Sequence, residues 1–283
     1  IGQSLRRIFD FLGYKTVAIN YLGDWGTQFG KLICAYKRWG DRQEVERDGV
    51  EALTRLYVRF HEEAEKAPDK EYGIISVSLG EGFSQMFTEM GVDKIVDGGQ
   101  TMNPSIESLV SAIDGVHAKN VFVFPNNGNV ILAAQQAAEI SSRNVYVIPT
   151  KNVAMGLAGV LQFSPAATPE ENLAAMTEAA EHVKSGMITT AIRDTQFEDL
   201  TIQEGDVIGL YNGKIHTVGS SVHDVTRDLM KEIVTDEDEL ITVYYGKDTS
   251  EQDAQTLTDE LTQMYPDCDV DMQMGGQPLY YYL

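Results

Sequence analysis

The chain has 283 residues, 43% hydrophobic and 23% charged, with a net charge of −21. This is a globular composition with room for two ordinary domains. No apolar run approaches the roughly 20 residues of a bilayer span, and the net negative charge lies wholly in one part. Residues 1–70 hold 12 Lys+Arg against 11 Asp+Glu, whereas the remaining 10 basic residues face 32 acidic ones. A body so acidic repels phosphate backbones, which argues against nucleic-acid binding by residues 71–283.

The first elements are helical. In "SLRRIFDFL" Leu5, Ile8, Phe9 and Leu12 share one face, and Gly13 supplies a stop. "TVAINYL" reads as a strand and "GDWGTQFG", residues 23–30, as the loop after it. "KLICAYKRWG" reads as a helix, followed by the charged helix "EVERDGVEALTRLYVRFHEEAEK" with a break at Gly49. Pro68, within "APDKEYG", marks the best domain boundary in the chain.

From Gly73 a unit recurs roughly every 22–25 residues: short apolar strand, polar loop, amphipathic helix. The strands are "GIISVSL", "KIVDG", "NVFVFP" and "NVYVIP"; the loops are "GEGFS", "GGQTMNPS", "NNGN" and "TKN". The helices include "SIESLVSAI", "VILAAQQAAEI" and "VAMGLAGVL". Such alternation predicts a parallel, Rossmann-like sheet covered on both faces over residues 73–165, with all four loops on its carboxyl edge.

Residues 166–283 predict a second, mixed α/β lobe. It comprises the helix "TPEENLAAMTEAAEHV", the strand "GMITTAIRDT" and the hairpin "DVIGLYNGKIHTVG", turning at Asn212-Gly213. Then come the helix "SVHDVTRDLMKEIV", the strand "ELITVYYG", a helix capped by Ser250, and a terminal strand and turn in "VDMQMGGQPLYYYL".

Two resemblances attach to these segments. "IGQSLRRIFDFLGYKTVAINYLGDWGTQFGKLI" resembles part of the catalytic core of arginyl-tRNA synthetase, a likeness running over residues 1 to about 66. It implies that Asp24, Trp25 and Gln28 lie near bound arginine. The H-x-G-H-type histidine pair and K-M-S-K-S-type loop that handle ATP in such enzymes do not occur here, which implies a fragment without its catalytic partners. From residue 68 on, "EYGIISVSLGEGF", "VDGGQTMNPSIE", "PNNGNVILAA", "VIPTKNVAMGLAGV", "AIRDT", "VYYG" and "GGQPLYYYL" resemble the C-terminal domain of the fatty acid kinase family, long grouped with dihydroxyacetone kinases.

That second resemblance implies a DegV-like two-lobed domain that docks a fatty-acid-carrier protein of the DegV family, so that a separate kinase domain can phosphorylate the acyl group. It also implies no cofactor in this chain: ATP and Mg²⁺ belong to the kinase domain, whose D-G-D-x-G-x-N-type aspartate cluster this sequence lacks. Contact candidates are the edge-loop residues Gly98, Gly99, Gln100, Thr101, Asn103, Asn126, Asn127, Asn129, Thr150 and Lys151. Gly276 and Gln277, before three adjacent tyrosines expected to be exposed, are further candidates. Asn103 and Pro104 are expected at the N-cap and first position of their helix.

The five histidines show no metal-ligand spacing, Arg193-Asp194-Thr195 at a strand end reads as an ion pair or a contact point, and "TDEDEL" as a solvated acidic turn. Cys34 and Cys268 form no C-x-x-C, which with no visible signal peptide suits a reduced, cytoplasmic setting. The reading is thus a composite chain, natural, misassembled or engineered: a synthetase-like fragment over 1–67, then a docking domain over 68–283. Arginine-tRNA ligation by the fragment and direct binding of a lipid or small carboxylate are the alternatives. A homo-oligomer is left open.

Overall fold

The computed structural model describes residues 27–65, 69–99, 103–197 and 200–283. The chain divides into two compact units, Ile1–Pro68 and Asp69–Leu283. The expected helix over residues 4–12 and the strand "TVAINYL" lie outside the described residues.

The first unit contributes α1 (Thr27–Trp39), α2 (Arg42–Asp48) and α3 (Val50–Glu65). Helix α1 begins inside the segment expected to be loop, so that Thr27–Gly30 are helical. Asp41 caps α2 by accepting from the Gln43 amide at 2.8 Å. Gly49, at φ 56°, forms the expected break, a left-handed position that costs glycine little. Ala35, Ala52 and Leu56 are buried, and the Arg59 guanidinium stands 4.8 Å over the Trp39 ring. Arg55 bonds both Glu44 and Asp48, at 2.8 and 2.6 Å. Hydrogen bonds from Arg47 and Arg55 pull the Asp48 carboxyl down to about 2.

The second unit opens with a parallel sheet of β1 (Lys70–Ser78), β2 (Lys94–Asp97), β3 (Ala118–Phe124) and β4 (Asn144–Val147), in the order β2-β1-β3-β4. Its helices are α4 (Glu81–Glu89), α5 (Ile106–Gly115), α6 (Gly128–Ile140), α7 (Val153–Leu161) and α8 (Pro169–His182). The strands read as unbroken apolar runs because both faces are covered. Ile75, Val77, Val121 and Val123 pack with Leu109, Ile113, Val130 and Ala134. Ile74, Phe122 and Phe124 pack with Phe83, Phe87, Leu157 and Met176 in a separate cluster. Each of the four fully buried phenylalanines contributes about 1.5–3 kcal/mol of transfer free energy, before the entropy of ordering is counted.

Helix α4 corrects the sequence reading of "GEGFS" as loop. Its Phe83 and Phe87 lie one turn apart on the buried face, the helical spacing that the glycines obscure.

A six-stranded mixed sheet follows, in the order β11-β10-β12-β5-β8-β9. Its strands are β5 (Gly186–Thr190), β8 (Val207–Tyr211), β9 (Lys214–Gly219), β10 (Leu240–Tyr245), β11 (Asp269–Met274) and β12 (Tyr280–Tyr282); β6 (Thr195–Phe197) and β7 (Leu200–Ile202) form a separate hairpin. Helices α9 (Val222–Ile233) and α10 (Glu251–Met264) complete it, and Leu229, Ile233, Leu257 and Leu261 pack with Ile188, Val243 and Tyr282. Asn212 and Gly213, at φ 51° and 78°, make the expected hairpin turn.

Two strand expectations are revised. "GMITTAIRDT" ends as a strand at Thr190, and the terminal segment supplies two strands instead of one. Because β12 inserts between β10 and β5, Tyr282 is buried and Tyr280 and Tyr281 are half-buried. The three tyrosines are therefore no exposed patch. No helix among the described residues is long and apolar enough to cross a membrane.

Candidate functional site

In the order β2-β1-β3-β4 the chain leaves β1 toward one side and returns to build β3 on the other. The crevice at the carboxyl ends of β1 and β3 is the topological switch point, where open α/β sheets bind ligands. A narrow cleft of about 50 Å³ lies there. It is lined by the end of β1 (Val77, Ser78), the β2 and β3 loops (Gly98, Gly99, Asn126, Asn127), the start of α7 and the segment Gln277–Tyr280.

Asn126 is the keystone of this edge. At φ 51° it adopts a left-handed conformation that asparagine tolerates better than most residues. Its backbone amide donates to Thr150 Oγ1 at 3.0 Å, and its side-chain Nδ2 donates to Ser76 Oγ and the Val77 carbonyl, each at 2.9 Å. One residue, through main chain and side chain together, thus ties the end of β3 to that of β1 and to the loop after β4. Asn127 caps α6, its Oδ1 accepting from the Asn129 amide at 2.9 Å, and Asn152 caps α7 by accepting from the Met155 amide at 2.9 Å.

The far wall comes from the mixed sheet. Gly80, at φ 116°, and Gly82 let residues 274–277 press against α4: a Cβ on Gly82 would stand 1.7 Å from the Met274 carbonyl oxygen. Phe83 rests on Tyr244 with ring centroids 5.1 Å apart, and its amide donates to the Gly275 carbonyl at 3.2 Å. Gln277 Nε2 donates to the Tyr244 carbonyl at 3.1 Å. Burial raises the Tyr244 and Tyr280 hydroxyls above the ordinary phenol range.

The sequence-chosen residues therefore separate into two kinds. Gly98, Asn126, Asn127, Thr150 and Gln277 are buried, whereas Asn103, Asn129 and Lys151 are exposed. Gly99 and Gly276 are intermediate, and Gln100 and Thr101 lie outside the described residues. The structure brings Gly98, Gly99, Asn126, Asn127 and Gln277 to one cleft. Ser105, not Asn103, caps α5, accepting from the Ser108 amide at 3.1 Å, so the helix starts after Pro104. Asp24 and Trp25 lie outside the described residues, and Gln28 is placed only as a backbone position in α1.

Ser78 was missed by sequence reasoning, because a serine inside an apolar strand carries no signal until the strand's end is located. Asp194 accepts from the Glu204 amide at 2.7 Å, and the acidic turn closes on Asp238, which accepts from Lys184 Nζ and the Thr235 amide. Among the described residues no group of three or more His, Cys, Asp or Glu could hold a metal ion.

The fold defines an α/β domain with a polar-ended cleft at a sheet switch point. Residues 73–283 match the family model for the FakA-like C-terminal domain of fatty acid kinase, and the chain belongs to that family. Residues 1–108 also match the model for class I tRNA synthetases (R), catalytic domain. The overlap, residues 73–108, is structurally part of the second unit, where β1 pairs with both β2 and β3.

Among curated relatives, protein YloV of Bacillus subtilis is 40% identical over 220 residues, 77% of this chain and 40% of that protein. An uncharacterized protein of Staphylococcus haemolyticus is 34% identical over 92% of this chain and 46% of its own length. The chain thus spans less than half the length of these relatives. A crystal structure of the Streptococcus pneumoniae fatty acid kinase B3 protein loaded with linoleic acid aligns at a TM-score of 0.48 and 13% identity, covering 72% of this chain and 92% of that one.

Proposed function

We infer that residues 69–283 are the accessory, docking part of a fatty acid kinase, which receives a fatty-acid-carrier protein while a separate kinase domain, holding ATP and Mg²⁺, phosphorylates the acyl group. The observation that carries this reading is the family match over residues 73–283. It is supported by the relatives' extra length, which leaves room for a kinase domain outside the matched region. The carboxyl-edge loops are the proposed contact surface, with Asn103, Asn129 and Lys151 as its exposed side chains. Lys151 is the one basic residue among the four edge loops, and so the natural partner for a carrier carboxylate.

The test is calorimetry between this chain and a fatty-acid-loaded carrier protein of the DegV family from the same cell, with Lys151→Glu and Asn129→Arg as loop variants. Binding that weakens about tenfold in either variant, with unfolding unchanged, is expected. A dissociation constant weaker than about 100 µM for the parent chain overturns the reading.

A second reading concerns residues 1–68 alone. The synthetase match favours descent from an arginine-activating core. Arginine-dependent ATP–pyrophosphate exchange by the full chain would establish activity, and a blank result would leave only the ancestry.

A further inference from the structure

Four residues other than glycine hold a positive φ among the described residues: His117, Asn126, Asn212 and Leu279. Asparagine and histidine take this left-handed conformation more readily than other side chains. Leucine does not, yet Leu279 stands at φ 71° with its side chain 50% exposed. A strained backbone that leaves a large apolar side chain half in water gains little for folding. Strain of this kind persists where a site uses it. The surroundings impose it here: the Leu279 carbonyl accepts from Thr189 Oγ1 at 2.6 Å, and the chain enters β12 at the next residue.

Leu279 stands where the carboxyl edges of the two sheets meet. It borders the narrow cleft with Gly98, Gly99 and Asn152 of the parallel-sheet loops. Because β12 runs antiparallel to both β5 and β10, it starts at their carboxyl ends. The segments leaving those strands carry the exposed Ile192, Arg193 and Lys247, and the Lys247 amide donates to the Gln277 carbonyl at 3.0 Å. Lys151, next to Asn152, is exposed as well. Past residue 70 the chain has ten basic residues against 32 acidic ones, and Lys119, Arg143, Lys184, Arg227 and Lys231 are held in ion pairs. Lys151, Arg193 and Lys247 have no ion-pair partner among the described residues. The other two, Lys94 and Lys214, begin β2 and β9, which run in the directions of β1 and β5, so both lie at the opposite, amino edges. The unpaired cations of this acidic body thus concentrate around Leu279.

We propose that Leu279 is the apolar anchor of the docking surface, flanked by Lys151, Arg193 and Lys247, and that the carrier face received there is acidic around an apolar socket. The inference rests on the docking reading and names the surface chemistry of its partner. Covering the half-exposed leucine on binding recovers hydrophobic free energy that the free chain forgoes. The three cations orient an acidic face on this edge, where the rest of the body would repel it.

The experiment is calorimetric titration of the full chain with a fatty-acid-loaded carrier protein of the DegV family from the same cell, at about 50 mM and about 300 mM salt. One variant, Leu279→Asn, suits the backbone conformation and removes the apolar side chain. A second combines Arg193→Glu with Lys247→Glu. The control is Leu161→Asn, on a leucine 70% exposed at the far end of α7. The expected result is a parent affinity several-fold weaker at the higher salt, and a loss of about tenfold in each of the two test variants. Leu279→Asn should melt no lower than the parent, and Leu161→Asn should bind like it. Parent binding that either test variant retains in full overturns the inference and leaves docking itself standing. So does an affinity indifferent to salt, an equal loss in Leu161→Asn, or a lower thermal midpoint for Leu279→Asn, which would mean that the leucine serves packing. No binding by the parent chain overturns this inference and the docking reading together.

Discussion

Asn126 donates from its side-chain nitrogen to the Val77 carbonyl at 2.9 Å, joining the carboxyl end of β3 to that of β1. This is the bond by which the two strands on either side of the switch point hold their loops in register. Asn126→Asp preserves size and the tolerance for positive φ, but exchanges the donor for a carboxylate facing the Val77 oxygen in a buried setting. We expect a loss of about 3 kcal/mol or more, read as a lower urea midpoint. Asn126→Gly keeps the backbone and removes only the bonds, and should cost about 2 kcal/mol. Equal stability of the aspartate variant and the parent would show that the tie carries no weight.

Close approach of backbone to backbone gives the second prediction. A methyl on Gly82 would sit 1.7 Å from the Met274 carbonyl oxygen and 2.7 Å from its carbon, neither of which can swing away as a side-chain tip can. Gly82→Ala should therefore push α4 off β11, cost roughly 3 kcal/mol, and open the cleft. Gly115, in the last turn of α5, meets nothing within 4 Å. There alanine should be neutral or stabilise by up to about 1 kcal/mol through helix propensity. Differential scanning fluorimetry on both variants decides the matter; a Gly82→Ala midpoint as high as that of Gly115→Ala would show that the contact with Met274 does not constrain Gly82.

The contrast between those two glycines shows what is legible in the sequence and what is not. Periodicity locates all four parallel strands and places α7 at Val153–Leu161, because apolar runs bounded by proline, glycine and asparagine encode local geometry. It does not reveal α4, whose amphipathic pattern is short and opens on two glycines retained for contact with residues 274–277. The edge asparagines stand out as a polar cluster and read as a rim for a partner. The burial of Asn126 depends on Ser76, Val77 and Thr150, which are distant in sequence and adjacent only once the strands pair. Nor can the sequence show that three adjacent tyrosines form a strand inside the mixed sheet. An exposed patch and a central strand have the same composition; only the pairing with β5 and β10 separates them.

Helix α8 carries a complete capping box, which makes a sharper test of local energetics than most surface sites. Thr168 Oγ1 accepts from the Glu171 amide at 3.2 Å while the Glu171 carboxylate accepts from the Thr168 amide at 2.8 Å. The bonds that the carboxylate accepts from the Thr168 amide and hydroxyl hold it below the ordinary glutamate range. Thr168→Ala removes one half of the exchange and should cost about 1 kcal/mol, and Thr168→Ser should be nearly neutral. A thermal midpoint for the alanine variant matching that of the parent would show that Pro169 at the first helical position suffices alone.

The last prediction concerns alkaline pH. Tyr282 is 5% exposed in the middle of the mixed sheet, and burial, aided by the nearby Asp253 charge, pushes its hydroxyl up to about 12 from an ordinary value of 10.0. Only the neutral phenol suits the folded site. Above the unfolded value the unfolded chain releases this proton while the folded chain keeps it, so rising pH favours unfolding. The stability that Tyr282 confers is thus fully present below pH 10, falls through the window from 10 to about 12, and is lost beyond it. Urea midpoints measured across that window should decline more steeply for the parent than for Tyr282→Phe, which keeps the ring in the core and has no proton to lose. Parallel declines in the two proteins would place the alkaline sensitivity elsewhere, among the other tyrosines whose hydroxyls burial raises, Tyr146, Tyr244, Tyr265 and Tyr280.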